Sequence, residues 1–366
     1  MTLVVGMPVS LTGQFQMQGR QALAGLLAWE RDANAETPDA FRVLYHDDAS
    51  DASTVREVTR RLIVGDQIDI LIGPYSSVLT SAAAQVAEAH GKLLWNQGGA
   101  SDDVYRQGYH RIVGILTPAR RYLSGLLPLV RQTESSASTV ALVRASTGEF
   151  PKAVCRGVAE TAKELGFRIV LDVEFAASAV DFADVLERLR VAQADVVVVV
   201  GRVRNDLALA RQLTDSGLRP GAVVAVAAGI QAFQDDLGSL AERFVGPSQW
   251  EPEVQHQPDS GPTAEQVVAS LKRDGHPTVD YPMAQAYAAG VVVQTCLEEA
   301  GSPDGQALRD AAGRLKFSTF YGDFEIDAKT GRQIGRESLL VQWQDGRKVI
   351  IWPPDLAQGR LVYPWR

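Results

Sequence analysis

Short apolar runs and amphipathic stretches take turns along this chain for about 250 residues, the pattern of parallel strands covered by helices on both faces. The first array predicts strands at Leu3–Gly6, Arg42–His46, Ile68–Ile72 and Leu93–Trp95, with helices near Gln18–Asn34, Ser53–Val64 and Ser77–His90. The pattern restarts at Thr139–Val143. Strands at Ile169–Val173, Val196–Val200 and Val223–Ala227 follow, with helices near Pro151–Leu165, Phe182–Ala192 and Asn205–Ser216. Asp195 followed by five valines predicts a central strand, apolar on both faces. Two similar arrays in tandem are expected, not one large sheet.

Beyond a polar linker, Glu251 to Gly261, the alternation stops. Helices are predicted at Thr263–Arg273, Pro282–Ala300 and Gln306–Arg314, then an extended run Phe317–Ile326. A hairpin pairs Leu339–Trp343 with Lys348–Trp352 through Gln344-Asp-Gly346, Asp-Gly being a good hairpin turn. The ending, Trp352-Pro-Pro-Asp to Tyr363-Pro-Trp-Arg, reads as an extended surface tail.

Composition narrows the class. A chain of 366 residues is too long for one ordinary core, so two domains are expected. A net charge of −8 argues against nucleic acid or an anionic membrane surface as partner. No apolar run reaches 18 residues, so no membrane span is expected. The opening Met-Thr-Leu-Val-Val-Gly enters a strand directly. That fits either a cytoplasmic protein or a mature form whose signal was replaced by a start Met. Cys155 and Cys296 fall in helices of different predicted domains and read as two buried thiols.

The candidate chemistry sits at strand ends. Gly73-Pro-Tyr-Ser-Ser77 follows an apolar strand and opens a helix, which places Ser76 and Ser77 among free backbone N–H groups at the positive end of the helix dipole. A helix cap and an anion seat are both open readings of these hydroxyls. Gly98-Gly-Ala-Ser101 repeats the arrangement after the next strand, and two such neighbours describe a small-molecule cleft. Asp47-Asp48 lacks further ligands at metal spacing and is assigned to capping the helix that follows; no metal is expected. No Gly-x-Ser-x-Gly elbow, Walker loop, Gly-x-Gly-x-x-Gly turn or His-Glu-x-x-His helix is present, so neither an enzyme nor a bound cofactor is expected.

Taken in order, several marks resemble a known family. They are Pro8-Val-Ser-Leu-Thr-Gly13, Tyr45-His-Asp-Asp48, Ile72-Gly-Pro-Tyr-Ser-Ser77, Gly98-Gly-Ala-Ser101, Gly322-Asp-Phe-Glu-Ile-Asp327, Gln342-Trp-Gln-Asp-Gly346 and Trp352-Pro-Pro. The chain resembles, over essentially its whole length, the type I periplasmic substrate-binding proteins of ABC importers, in the leucine/isoleucine/valine-binding branch. The resemblance implies an α/β fold of two lobes, each a parallel sheet flanked by helices. Three crossovers would fall near Thr117, Pro247–Trp250 and Tyr321–Asp327. Residues 1–117 and 250–322 would form lobe one, and 118–248 and 325–366 lobe two. The cleft between lobes would hold the ligand and close on it by hinge motion. A membrane permease is the implied partner and the periplasm or cell surface the implied location. A cytoplasmic amide-sensing regulator of the same architecture is the alternative.

By resemblance, Ser77 receives an α-carboxylate and Gly99 (or Gly98) and Ser101 receive an α-ammonium, with Ser76 and Ala100 as further ligand-binding candidates in the same turns. The second lobe departs from amino-acid binders. Thr147-Gly-Glu-Phe150 puts Phe150 where a Tyr is usual, and Ala228-Gly-Ile-Gln231, with Gly229 in the turn, lacks the usual carboxylate. Arg202 stands after the polyvaline strand, where its fork could meet a carboxylate. Tyr122, Trp250 and Phe15 are candidate apolar walls. The departures imply an aromatic or apolar carboxylate, not a plain aliphatic amino acid.

Overall fold

The computed structural model describes residues 2–254 and 256–366. In chain order, the first segment holds β1 (Leu3–Val9), α1 (Gln16–Glu36), β2 (Phe41–Asp47), α2 (Ala52–Arg60), β3 (Ile70–Ile72), α3 (Ser77–Ala89), β4 (Leu94–Asn96), α4 (Asp103–Arg106) and β5 (Ile112–Gly114). Next come α5 (Leu126–Thr133), β6 (Thr139–Ala145), α6 (Glu149–Leu165), β7 (Arg168–Phe175), α7 (Ala183–Ala192), β8 (Val196–Val200), α8 (Val203–Asp215), β9 (Ala222–Ala225), α9 (Gln231–Leu237) and β10 (Val245–Ser248). The third stretch carries α10 (Ala264–Arg273), α11 (Tyr281–Ala300), α12 (Gly305–Arg314), β11 (Phe317–Thr319) and β12 (Gly322–Phe324); the hairpin β13 (Leu339–Gln344) and β14 (Arg347–Trp352) completes the set.

These elements form two compact units. Residues 1–118 and 249–336 make the first, and 119–248 and 337–366 the second, so the chain passes between units three times. The first unit is built on a parallel sheet of order β2-β1-β3-β4-β5. The two-residue period of a strand sorts its side chains. Ile70, Ile72, Trp95 and Val113 face a core shared with α1, α10, α11 and α12, whereas Leu71, Leu94 and Ile112 join Ala84, Ala87 and Val104 on the other face. Helix α11 is buried almost all round, begins with Pro282 in its first turn and stops at Gly301 in the left-handed region. The second unit holds a seven-stranded sheet of order β14-β13-β10-β9-β8-β6-β7, parallel from β10 to β7 and antiparallel through the hairpin. Its β8 is the polyvaline run, buried along its whole length.

Several boundaries correct the sequence reading. Residues 325–336, expected in the second lobe, belong to the first unit. The Gly331 carbonyl takes the Gly114 N–H (2.8 Å), Ile326 bridges Gln333, and Arg309 reaches the Ala328 carbonyl (2.8 Å). The run Phe317–Ile326 is two short strands, β11 and β12, folded back on each other. Asp51, not Asp47 or Asp48, caps α2, accepting from the N–H groups of Ser53 and Thr54 at 2.9 Å. The C-terminal segment is not a surface tail throughout. Trp365 is fully buried, edge-on to Phe244 with centroids 5.1 Å apart, because an indole gains more from that core than from water.

Candidate functional site

The first unit concentrates its chemistry at the carboxyl ends of β3 and β4. Between β3 and α3 the chain makes the turn Gly73–Ser77, in which Ser76 adopts φ 89°, ψ 145°. That region is essentially reserved for glycine and costs of order 1–3 kcal/mol for other residues. Tertiary bonds hold it there. The Ser76 N–H donates to the Gly98 carbonyl (3.1 Å), its carbonyl accepts from Thr80 N–H (3.0 Å), and Tyr75 bridges Gly98. Strain sustained at a helix entrance points to function more than to folding.

Ser77 opens α3, a helix of 13 residues with no acidic residue in its first turn. Its Oγ accepts the Ser101 N–H at 2.9 Å. With one acceptor position filled, the hydroxyl still has its proton to donate, beside the exposed start of the helix at Val78. A donor hydroxyl at the positive end of a helix suits a carboxylate.

The second turn is organised by Asn96, whose importance the sequence reading did not anticipate. Its Oδ1 takes the N–H groups of Gly98 (3.2 Å) and Gly99 (2.7 Å), while Nδ2 reaches the Gly99 carbonyl and the Tyr105 hydroxyl, both at 2.8 Å. An Asn at a strand end followed by two glycines was the available signal. The carbonyls of Gly98 and Gly99, expected to receive an ammonium, are thus engaged by Ser76 and Asn96. Ala100 and Ser101 are buried, at 4% and 1% exposure. Ser101 reaches the site through its N–H to Ser77, and its Oγ caps α4 from 3.4 Å, accepting the Asp103 N–H. Asp102, also unforeseen, is buried with one carboxylate oxygen 3.4 Å from Arg332.

Around the turn after β1, Asp47 and Asp48 bind loop groups. Asp47 accepts from Leu11 N–H (2.9 Å), Thr12 Oγ (2.8 Å) and Ala49 N–H (2.9 Å); although burial opposes it, these bonds hold its carboxyl below the usual range. Burial pushes Asp48 up, against bonds from Ser10 Oγ (2.6 Å) and Ser50 N–H (2.8 Å). They shape the loop that carries Phe15. Its N–H meets Ser50 Oγ (3.0 Å), and its ring packs half-buried by Val55 and Leu79. Trp250 is not an open wall: it is 2% exposed, its Nε1 donates to the Phe320 carbonyl (3.0 Å), and it belongs to the first unit's core.

In the second unit the turn before α6 repeats this backbone. Gly148 has φ 93°, ψ 145°, the Ser76 conformation at a residue that adopts it freely. Glu149 therefore occupies the place of Ser77, and Phe150 that of Val78. Glu149 lies in the first turn of α6, 2.9 Å from Lys152, so this helix start already carries its own anion. Phe150 meets Tyr122 edge-on, centroids 5.4 Å apart. Arg202, exposed at the start of α8, ties its N–H to Asn205 Oδ1 (3.1 Å); among the described residues its guanidinium has no partner. Gly229 is fixed by packing, since a Cβ there would lie 1.9 Å from the Pro247 carbonyl. Its turn has no carboxylate of its own, but Asp206 of α8 lies beneath, accepting the Ala227 N–H at 3.0 Å. Burial pushes that carboxyl up to about 7, against hydrogen bonds from the Ala227 and Gly201 backbone.

Among the described residues no helix is long and apolar enough to cross a membrane. A family model described as periplasmic binding protein matches residues 2–348. Leu/Ile/Val-binding protein homolog 7 of Brucella abortus (strain 2308) is 23% identical over 374 residues, covering 96% of this chain and 92% of that protein. Among solved structures, the branched-chain amino acid transporter substrate-binding protein LivJ of Streptococcus pneumoniae, in complex with isoleucine, has a TM-score of 0.82 at 17% identity and covers all of both chains. A solute-binding protein of an ABC transporter from R. palustris, in complex with benzoate, has a TM-score of 0.81 at 15% identity over 96% of each chain. Matched along nearly its whole length, the chain belongs to the periplasmic binding protein family and has the type I fold of its leucine/isoleucine/valine-binding branch.

Proposed function

We propose that this protein is the extracytoplasmic substrate-binding component of an ABC importer and seats a small carboxylate at the start of α3. One observation carries the reading: Ser77 Oγ accepts the Ser101 N–H and keeps its own proton to donate, at a helix start free of acidic residues. A carboxylate there would take the Ser77 hydroxyl and first-turn N–H groups as donors. The family supports the importer role, with a membrane permease as partner.

The preferred ligand is an aromatic or apolar carboxylate. The Gly98 and Gly99 carbonyls are already hydrogen-bonded, which weakens the provision for an ammonium. Taken by itself, the second unit carries at Arg202 an exposed guanidinium unpaired among the described residues, and half-buried Phe150 edge-on to the buried Tyr122. A cation and rings favour an apolar acid over a zwitterion, whose buried ammonium would lack a counter-charge at several kcal/mol. Neighbours solved with isoleucine and with benzoate support both chemistries on this fold.

A thermal-shift screen over benzoate, hydroxybenzoates, leucine, isoleucine and valine tests the reading, because a ligand of the native state alone raises Tm. Stabilisation by aromatic acids at micromolar concentration is the expected result. Stabilisation by leucine or valine alone would change the ligand class, and none by any carboxylate would remove the function.

A further inference from the structure

The buried face of α11 is apolar but for the Tyr287 hydroxyl, which donates to Asp32 (3.1 Å), and Gln285, which is fully enclosed. Its Nε2 donates to Gln97 Oε1 (3.3 Å), and Gln97 Nε2 donates to the Gly73 carbonyl (3.0 Å) at the start of the Ser77 turn. On the other side, Gln285 Oε1 accepts the Tyr321 hydroxyl at 2.8 Å. The direction of this chain is fixed chemically. A carbonyl can only accept, so Gln97 must offer Gly73 its N–H groups; its oxygen then faces Gln285, whose own oxygen faces Tyr321.

Beyond Tyr321 the network reaches the places where the chain leaves or enters the first unit. The Arg336 guanidinium lies 3.8 Å over the Tyr321 ring and donates to the Gln249 carbonyl. The Gln249 side chain in turn pairs with both backbone groups of Thr117, at 3.0 and 3.1 Å. Thr117 ends one residue before the first passage between units, Gln249 begins directly after the second, and Arg336 ends directly before the third. All are buried.

We propose that Gln285 is a positioning residue that couples the ligand turn Gly73–Ser77 to the three points where the chain passes between units. Rearranging the turn around a ligand changes the Gly73 carbonyl, and the relay carries that change to Tyr321, Arg336, Gln249 and Thr117. Packing does not need this chain: an apolar side chain would fill the same space without two amides to satisfy. The ligand side of the proposal rests on the carboxylate seat inferred above; the coupling does not.

Hydrogen exchange of the ligand-free protein, read by mass spectrometry on Gln285→Met and Tyr321→Phe, tests it. Tyr321→Phe removes one hydroxyl and keeps the ring under Arg336, so it serves even where Gln285→Met folds poorly. The expected result is exchange faster by roughly tenfold in both segments 73–80 and 115–119 with β1 and α1 unaltered, the double variant no worse than the Gln285→Met protein. Faster exchange confined to the neighbourhood of residue 285, or additive effects of the two substitutions, would overturn the coupling. Titration of the wild-type protein with benzoate and L-isoleucine is read separately. Binding of neither would remove the carboxylate reading while leaving the exchange result to decide the relay.

Discussion

Ser77 and Ser76 sit side by side in one turn and do different work. The Ser77 hydroxyl receives one hydrogen bond from within the protein and has its proton left for a ligand. Replacing it with Ala removes a donor to a charged group, about 1.5–3 kcal/mol. We expect Ser77→Ala to weaken carboxylate binding roughly ten- to a hundredfold by calorimetry, with an unchanged far-UV spectrum; undiminished affinity would place the anion elsewhere. Ser76 instead supplies a backbone shape. Gly148 takes the same conformation in the second unit, so Ser76→Gly should relieve strain and hold or raise Tm, against the usual loss of about 1 kcal/mol for a new glycine. A fall in Tm would show that its weak 3.4 Å cap to Leu79 matters more than its φ.

At the scale of elements, the ends of β8 and β9 are tied by α8 through Asp206. Its carboxyl ordinarily titrates near 3.8 and burial lifts it to about 7, so the folded protein favours the neutral form. The stability this contributes is fully present below the unfolded value and is lost as pH rises through about 7. The ceiling is about 4 kcal/mol for a shift of this size. Tm should therefore decline between about pH 5 and 8, and Asp206→Asn should flatten that decline; an identical slope in both proteins would remove Asp206 as its source. Nothing in the sequence marks Asp206, one of two polar residues after an Arg in an amphipathic helix, because its role depends on a turn 21 residues away. The long alternating elements were legible because their periodicity is local. Short β5 and β10 were not, since neither runs directly into a long amphipathic helix as the equally short β3 does. The destination of Trp365, like the side on which 325–336 would fold, is decided by contacts distant in sequence. Of the candidate site, the two turns could be read as small residues after strands, whereas the burial of Ser101 and Trp250 could not.

For the whole molecule, the importer reading makes a claim about compartment. Fractionation of cells carrying the full gene should place the protein outside the inner membrane; a cytoplasmic pool with a ligand-dependent protein partner would instead favour a regulator built on this fold. In the proposed relay, Gln249 and Arg336 stand beside the points where the chain passes between units. The functional reading rests on a carboxylate at Ser77. The most direct measurement is calorimetric titration of the wild-type protein and Ser77→Ala with benzoate and with benzamide. The account predicts that benzoate binds the wild-type protein, that Ser77→Ala weakens it at least tenfold, and that benzamide, with the same ring and no charge, binds far more weakly to both. Equal binding of benzoate and benzamide, or equal affinity in the two proteins, would contradict it.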